Sequence, residues 1–251
     1  MKTIRPIAAL LAIAFVTAAG AEARPGVGGI TVYAASSLTD LFPKIDAGPR
    51  YSFGASSTLA AQITQGAPAD VFASANPTIP DQLFAKGLVQ KPVVFTRNQL
   101  VLVVPTSNPA GIHGLYDLRR PGTKLVIAAS AVPVGSYTLQ VLKRMGLSAR
   151  VLPNVVSRES DVRSVLAKVA LGEADAGFVY STDARTVPGK VNVLKVPTWA
   201  QPTVSYAIAI VSSSSNKAAA QRYINEILSK AGQAKLLAAG FLAIPKKKPS
   251  T

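Results

Sequence analysis

The sequence contains no cysteine and only one histidine, His113. The absence of cysteine excludes disulfide bonds, thiolate metal sites, iron–sulfur clusters and a cysteine nucleophile. A single histidine makes a site with several histidine ligands impossible, and it disfavours a hydrolase built on a Ser–His pair. Acidic residues are also scarce, because 12 Asp and Glu stand against 27 Lys and Arg, for a formal net charge of +15. These shortages disfavour most enzyme classes and favour a protein that binds an anion.

The chain is nevertheless long and apolar enough to fold. Its 251 residues are 49% hydrophobic and 16% charged, which excludes a disordered chain and allows one large domain or two small ones. Beyond the first 23 residues, no apolar stretch is long enough to span a membrane. The sequence therefore predicts a folded protein that is not inserted stably in a membrane.

The first 23 residues have the layout of a secretory signal peptide. Lys2 and Arg5 form a positive start, residues 7–19 are apolar, and Ala21-Glu22-Ala23 places small residues at the cleavage positions. The apolar run of 13 residues is shorter than the roughly 20 that a spanning helix needs. No cysteine follows it, which excludes a lipid anchor of the usual bacterial kind. We expect cleavage near Ala23 and an exported protein, periplasmic in a bacterium with two membranes.

Short β-branched runs alternate with helical stretches along the rest of the chain. This alternation is typical of βαβ units, in which helices cover both faces of a parallel sheet. The main predicted strands are residues 30–34, 50–53, 70–73, 100–104, 125–128, 176–180, 191–196 and 204–211. The main predicted helices are residues 37–45, 58–65, 77–86, 136–145 and 161–171, with two more within 216–239.

Two such series predict two Rossmann-like α/β lobes with a ligand cleft between them. The first lobe is predicted to comprise residues 24–104 and 205–245, and the second residues 105–204, with the chain crossing near 104–106 and near 200–204. The C-terminal helices would pack back on the first lobe. Residues 246–251, which include three consecutive lysines, are predicted to form a disordered tail.

Hydroxyl and small residues follow several predicted strands, where helices begin. The segments are Ala35-Ser36-Ser37-Leu38-Thr39, Gly54-Ala55-Ser56-Ser57-Thr58, Pro133-Val134-Gly135-Ser136 and Arg158-Glu159-Ser160-Asp161-Val162. A serine at such a place can simply cap its helix. Alternatively, free N–H groups, hydroxyls and the helix dipole face a bound anion. Both interpretations remain open at the level of the single segment.

Six segments together resemble one protein family. They are ITVYAASSLTD (30–40), FGASSTLAAQI (53–63), GAPADVFASA (66–75), VPVGSYTLQVLKRMG (132–146), SRESDVRSVLAKV (157–169) and AGFVYSTDA (176–184). In this order they resemble the molybdate-binding component of bacterial ABC transporters, a type II periplasmic binding protein. The resemblance implies a two-lobed protein that closes around molybdate, and also tungstate, and delivers it to a membrane ABC permease.

The resemblance also implies five oxyanion ligands. Ser37 would donate its hydroxyl, and Ser56 its hydroxyl and backbone N–H. Val134 and Val162 would each donate a backbone N–H, and Tyr180 its phenol. Val134 stands where many family members have alanine, which matters little if only its N–H binds. The segment between the two serine motifs is about two helical turns shorter than is usual in the family.

Such a site contains only hydrogen-bond donors. A protonated oxyanion such as hydrogen phosphate would meet no acceptor for its O–H, and sulfate would be rejected because it is too small to reach every donor. The resemblance implies no cofactor and no free metal ion, since molybdenum would be bound as its oxyanion. Molybdate and tungstate are nearly equal in size, and the sequence does not rank them.

Other functions are also compatible with parts of the sequence. A binding protein for another tetrahedral oxyanion, such as sulfate, would have the same fold. An exported serine hydrolase is a further alternative, although the chain has no G-x-S-x-G elbow. The basic residues are scattered and not interleaved with aromatic ones, which disfavours binding of nucleic acid. The effector part of a transcription regulator is disfavoured by the signal peptide. We expect a monomer.

Overall fold

The computed structural model describes residues 29–245. The predicted signal peptide and the predicted tail at 246–251 lie outside the described residues. The described strands are, in chain order, β1 Thr31–Ala35, β2 Arg50–Gly54, β3 Val71–Ser74, β4 Val93–Asn98, β5 Leu100–Pro105, β6 Leu125–Ala128, β7 Val155–Glu159, β8 Ala176–Tyr180, β9 Val191–Lys195 and β10 Val204–Ile210. The described α-helices are α1 Phe42–Ile45, α2 Ser56–Thr64, α3 Thr78–Ala85, α4 Pro133–Arg144, α5 Ser148–Val151, α6 Val162–Ala170, α7 Ser181–Ala184, α8 Lys217–Leu228 and α9 Lys230–Ala238.

The strands form two five-stranded sheets, each flanked by helices, which confirms the predicted α/β fold with two lobes. The first sheet has the order β2-β1-β3-β10-β4, and the second has the order β7-β6-β8-β5-β9. We call the first sheet with its helices lobe I and the second sheet with its helices lobe II. Both sheets are mixed rather than wholly parallel, because β10 runs antiparallel to β3 and β5 runs antiparallel to β8.

The first crossing between the lobes lies earlier than the sequence predicted. Strand β4 pairs with β10 in lobe I, whereas β5 pairs with β8 and β9 in lobe II. The chain therefore crosses at Gln99, and the predicted boundary after residue 104 places a whole strand in the wrong lobe. The prediction missed β4 because its own pattern is mixed, and it assigned the apolar β5 to the preceding series. The chain returns to lobe I between β9 and β10.

The first helix is also shorter than the predicted 37–45. The chain forms a 3₁₀ turn at Ser36–Leu38 and then the short helix α1. Pro43 lies in the first turn of α1, where its missing N–H does no harm, but a continuous helix through it would lose a hydrogen bond. The break leaves the 3₁₀ turn directly at the carboxyl end of β1.

The C-terminal helices cover lobe I. Tyr223 of α8 packs against Phe42 and Tyr51, with ring centroids 6.0 and 6.4 Å apart. The hydroxyl of Tyr51 donates to the carbonyl of Asp46 at 2.6 Å. This aromatic cluster joins α8 to α1 and to β2.

Candidate functional site

One small cavity between the lobes is lined by all five residues that the sequence singled out. Ser37 and Ser56 reach it from lobe I, whereas Val134, Val162 and Tyr180 reach it from lobe II. All five are buried, and the most accessible of them, Ser37, exposes only 5% of its surface. The cavity lies at the carboxyl ends of strands β1, β2, β6, β7 and β8, where ligands bind in open α/β sheets.

The two serines of lobe I do not cap helices, so the capping interpretation is wrong for both. The residues before the 3₁₀ turn and before α2 are Ala35 and Ala55, and neither end has a side-chain cap. Instead, the Ser56 Oγ accepts the backbone N–H of Ala75 at 3.0 Å. Because this bond occupies an acceptor position, the Ser56 hydroxyl keeps its own hydrogen for the cavity.

Lobe II contributes the amino-terminal ends of two helices. Helix α4 begins after Val132 without a side-chain cap, and Val134 lies in its first turn. Helix α6 is capped by Asp161 rather than by Ser160, the residue considered from sequence. The Asp161 carboxylate accepts the N–H groups of Arg163 and Ser164 at 2.7 and 3.1 Å. The first N–H, that of Val162, has no partner within the helix and faces the cavity end of α6.

Gly135 explains why the start of α4 can approach β6 so closely. A Cβ at this position would lie 2.2 Å from the carbonyl oxygen of Ala129 and 2.5 Å from that of Ala128. Any larger residue would therefore push the first turn of α4 away from the strand. This glycine thereby sets the position of the neighbouring Val134 N–H.

The Tyr180 hydroxyl is a buried donor without a partner among residues 29–245. Tyr180 exposes 1% of its surface, and its hydroxyl is among the few buried side-chain atoms of residues 29–245 that make no hydrogen bond. Burial raises the pKa of Tyr180 well above its usual value, and the neighbouring Tyr206 acts in the same direction. The phenol therefore stays protonated and can only gain by donating to a group placed in the cavity.

Charged residues stand behind the cavity rather than on its wall. Asp183 is fully buried, and its carboxylate accepts the Tyr180 N–H at 3.1 Å. The Arg163 Nε lies 3.2 Å from the same carboxylate without the alignment of a hydrogen bond. Burial raises the pKa of Asp183 to about 7, and the facing guanidinium offsets part of the rise.

Arg163 also joins the two lobes. Its guanidinium lies 2.5 Å from the Asp40 carboxylate of lobe I and donates to the Thr186 hydroxyl of lobe II at 2.9 Å. Asp40 is half exposed, so this ion pair is screened by solvent and contributes at most about 1 kcal/mol. It marks the place where the lobes touch beside the small cavity.

A second, larger cavity opens next to this ion pair. Its volume is about 620 Å³, and Ser37 lines both cavities. Its charged lining residues are Asp40, Lys44, Arg163, Arg185 and Lys235. The sequence did not indicate this cavity, because these residues come from four separate segments that only the packing of the lobes brings together.

Two further findings restrict the chemistry of the described residues. Within residues 29–245, no group of three or more His, Cys, Asp or Glu side chains is placed to hold a metal ion. No helix in the same part of the chain is long and apolar enough to cross a membrane. His113 is exposed in a loop, where its backbone N–H donates to Asp117 at 2.8 Å.

Similarity to known proteins agrees with this geometry. Residues 30–242 match the family model of bacterial extracellular solute-binding proteins. The chain is 36% identical to the molybdate-binding protein ModA of Mycobacterium tuberculosis, over 94% of this chain and 93% of that protein. It is 33% identical to the molybdate-binding protein ModA of Escherichia coli, over 82% of this chain and 85% of that protein.

Two solved structures show the same fold. The periplasmic molybdate-binding protein of Azotobacter vinelandii superposes with a TM-score of 0.75 at 24% identity, covering 87% of this chain and 100% of that one. The sulfate-binding protein of Mycobacterium tuberculosis superposes with a TM-score of 0.75 at 19% identity, covering 85% and 86%. With a family match over most of its length and relatives above 30% identity, this chain belongs to the bacterial extracellular solute-binding proteins.

Proposed function

We propose that this protein captures molybdate, and also tungstate, outside the cytoplasm and delivers it to a membrane ABC permease. The observation that carries the proposal is the Tyr180 hydroxyl, which has no partner in the described part of the chain. It lies in a buried cavity that four further uncharged donors line from both lobes. The relatives named as molybdate-binding proteins support the choice of ligand, since their similarity extends over most of both chains.

The ligand class follows from the donors. The described residues that line the cavity offer hydroxyls and backbone N–H groups, and none of them is a carboxylate, a lysine or an arginine. A hydrogen bond to a charged acceptor contributes roughly 1.5–3 kcal/mol, and five or six of them oppose the cost of dehydrating a dianion and closing the lobes. The expected dissociation constant is near micromolar or lower, which corresponds to a binding free energy of about −8 kcal/mol or more negative.

The fold alone does not choose between oxyanions. The molybdate-binding and sulfate-binding structures superpose equally well on this chain. Selection must come from the positions of the donors, because a smaller tetrahedron cannot reach all of them at once. Hydrogen phosphate is disfavoured separately, since its O–H would face further donors.

The exported location and the assembly state belong to the same proposal. We infer that residues 1–23 direct export and are removed near Ala23, and that the mature protein is a periplasmic monomer. Mass spectrometry of the secreted protein would test the cleavage site, and light scattering would test the monomer. A mature chain that begins far from Arg24 would contradict the first inference, and a stable dimer would contradict the second.

The serine-hydrolase alternative is not favoured, and this chain is a binding protein rather than an enzyme. The Ser56 Oγ accepts a hydrogen bond from a backbone N–H, whereas a nucleophilic serine needs a base to which it donates. The Ser37 Oγ has only the Tyr206 hydroxyl as a hydrogen-bond partner among the described residues. Within the described structure, neither serine therefore has the activating base that nucleophilic catalysis requires.

Calorimetric titration of the secreted protein, purified free of oxyanions, tests the proposed function. We expect tight one-to-one binding of molybdate and tungstate at pH 7.5 and weak binding of sulfate and phosphate. Sulfate as the tightest ligand would keep the fold and the oxyanion site but refute the argument from size. Failure of all four anions to bind would refute the proposed function.

A further inference from the structure

A chain of buried hydrogen bonds connects the crossing between the lobes to Ser37. Asn98 is the last residue of β4, and only Gln99 separates it from β5 of lobe II. Its side chain lies 3.4 Å from the Tyr206 hydroxyl, which in turn lies 2.8 Å from the Ser37 Oγ. Asn98, Tyr206 and Ser37 each expose 5% of their surface or less, so water does not compete for these bonds.

The Asn98 side chain determines the direction of each hydrogen bond in this series. The Asn98 Oδ1 accepts the backbone N–H of Gln99 at 2.9 Å and the Ser181 hydroxyl at 3.0 Å. A backbone N–H can only donate, so the amide orientation is settled and the Nδ2 group points away from it. That group donates to Thr182 Oγ1 at 2.9 Å and to the Tyr206 hydroxyl.

The consequence reaches the cavity through Tyr206. Because an amide NH₂ cannot accept, the Tyr206 hydrogen has no acceptor in the described hydrogen-bond network other than the Ser37 Oγ. Ser37 therefore accepts from Tyr206, and its own hydrogen is free to point into the cavity. Ser56 is held in the same sense by the Ala75 N–H, and Tyr180 has no acceptor among the described residues.

We propose that Asn98 is a specificity-determining positioning residue: acting through Tyr206, it holds Ser37 as a donor and thereby excludes oxyanions that carry a proton. This inference rests on the proposed oxyanion site and adds the residue that sets the protonation state of its ligand. Asn98 acts without touching the cavity, since it is not among the residues that line it.

The variant Asn98→Asp replaces the amide nitrogen by an oxygen, and it should reverse the direction of the hydrogen bonds from residue 98 through Tyr206 to Ser37. The introduced carboxylate still accepts from Gln99 and Ser181, and Thr182 can turn its hydroxyl to donate. Tyr206 would then donate to the carboxylate, Ser37 would donate to Tyr206, and the Ser37 lone pairs would face the cavity. A protonated oxyanion would find the acceptor that the native site lacks.

Sulfate and hydrogen phosphate form a matched pair of probes. At a pH of about 8, above the second phosphate pKa, both are dianions of similar size and only hydrogen phosphate carries a proton. The negative charge added by Asn98→Asp weakens both equally, so the ratio of their affinities reports the direction of the Ser37 bond. Competition against molybdate measures affinities that are too weak for direct titration.

We expect Asn98→Asp to raise the affinity ratio of hydrogen phosphate to sulfate by about 10-fold and to weaken molybdate binding. In a Tyr206→Phe background the same substitution should leave the ratio unchanged, because the connection is cut. Tyr206→Phe alone should raise the affinity ratio modestly, because the Ser37 hydroxyl is then free to rotate. This variant tests the inference even if Asn98→Asp does not fold. Asn225→Asp, an exposed change on α8, is the charge control.

An unchanged ratio in both Asn98→Asp and Tyr206→Phe would overturn the inference. So would an equal rise with and without the Tyr206 hydroxyl, because the introduced carboxylate would then act by charge or by a general disturbance. These outcomes differ from failure of the proposed function, in which the unmodified protein would bind neither molybdate nor tungstate.

Discussion

Two adjoining cavities between the lobes would meet anions in different ways. The small cavity is lined by uncharged donors that are almost fully buried, whereas the large one is lined by Lys44, Arg163, Arg185 and Lys235 beside Asp40. Cations near solvent attract any anion, but screening by salt limits their effect to about 10 Å at 0.1 M. Buried donors act only along their bond directions and so discriminate shape and protonation. If the protein works as proposed, attraction of anions and selection among them therefore lie in separate places.

The sharpest test of the small cavity is Tyr180→Phe. Loss of one hydrogen bond to a dianion should weaken molybdate binding about 10- to 100-fold. The free energy of unfolding of the empty protein should stay equal or rise, because the removed hydroxyl is buried and has no partner within the described structure. Titration and urea unfolding measure the two quantities, and Tyr116→Phe, an exposed tyrosine of lobe II, is the control. A loss of binding below about 3-fold would remove Tyr180 from the ligand set.

Gly135→Ala disturbs the same cavity through the backbone. The new Cβ would collide with the carbonyl oxygen of Ala129 at 2.2 Å, so the start of α4 must shift. We expect the free energy of unfolding to fall by about 1–3 kcal/mol. The affinity for molybdate should also fall, because the Val134 N–H moves with the helix. Gly114→Ala is the control, because nothing lies within 4 Å of its added Cβ. Unchanged stability and affinity would show that the helix start is not held by this contact.

The large cavity should affect the rate of capture more than the strength of binding. We expect the double variant Lys44→Gln/Arg185→Gln to lower the association rate of molybdate a few-fold at low salt and to leave the dissociation rate unchanged. The difference should vanish at high ionic strength, which stopped-flow fluorescence measures directly. Lys190→Gln/Lys195→Gln, which removes two cations from β9 and the loop before it, is the charge-matched control. A rise in the dissociation rate would mean that the cations contact the bound anion.

The smallest expected effect is a change in the free energy of unfolding with pH, caused by Asp183. Asp183 has its pKa raised to about 7 in the folded protein, so between about pH 4 and pH 7 the folded state binds more protons than the unfolded one. This group therefore contributes stability at low pH that is lost as the pH rises through 7. Urea unfolding from pH 5 to pH 8 should show this fall, and Asp183→Asn should flatten it. A steeper fall in the variant would contradict the assignment.

The local pattern of the sequence was enough to locate most of the site. Hydroxyl residues after apolar runs, as at Ser37 and Ser56, and helix starts such as that of Val162 were all placed at the carboxyl ends of strands, and the structure brings them to one cavity. The role of these residues as ligands stays a prediction. Such patterns are informative because strand and helix periods, and the position of a helix start, depend on neighbouring residues in the chain.

Strand partners and long-range contacts were not predictable in the same way. The apolar residues of β5 indicate burial but not which sheet they join, and the boundary at Gln99 was therefore misplaced. The antiparallel direction of β10 depends equally on its neighbours in space. The Arg163–Asp40 ion pair joins residues 123 positions apart, and no local pattern indicates it.

The sequence by itself determined the α/β class, the positions of most strands and helices, and the residue types at the helix starts. It also predicts the export signal. Tertiary structure alone decided which strand belongs to which lobe and that Asn98, Tyr206 and Ser37 are connected. It also decided that the Tyr180 hydroxyl is left without a partner among the described residues. The physical reason is that local structure depends on residues a few positions apart, whereas burial and hydrogen-bond direction depend on groups that meet only after the lobes have packed.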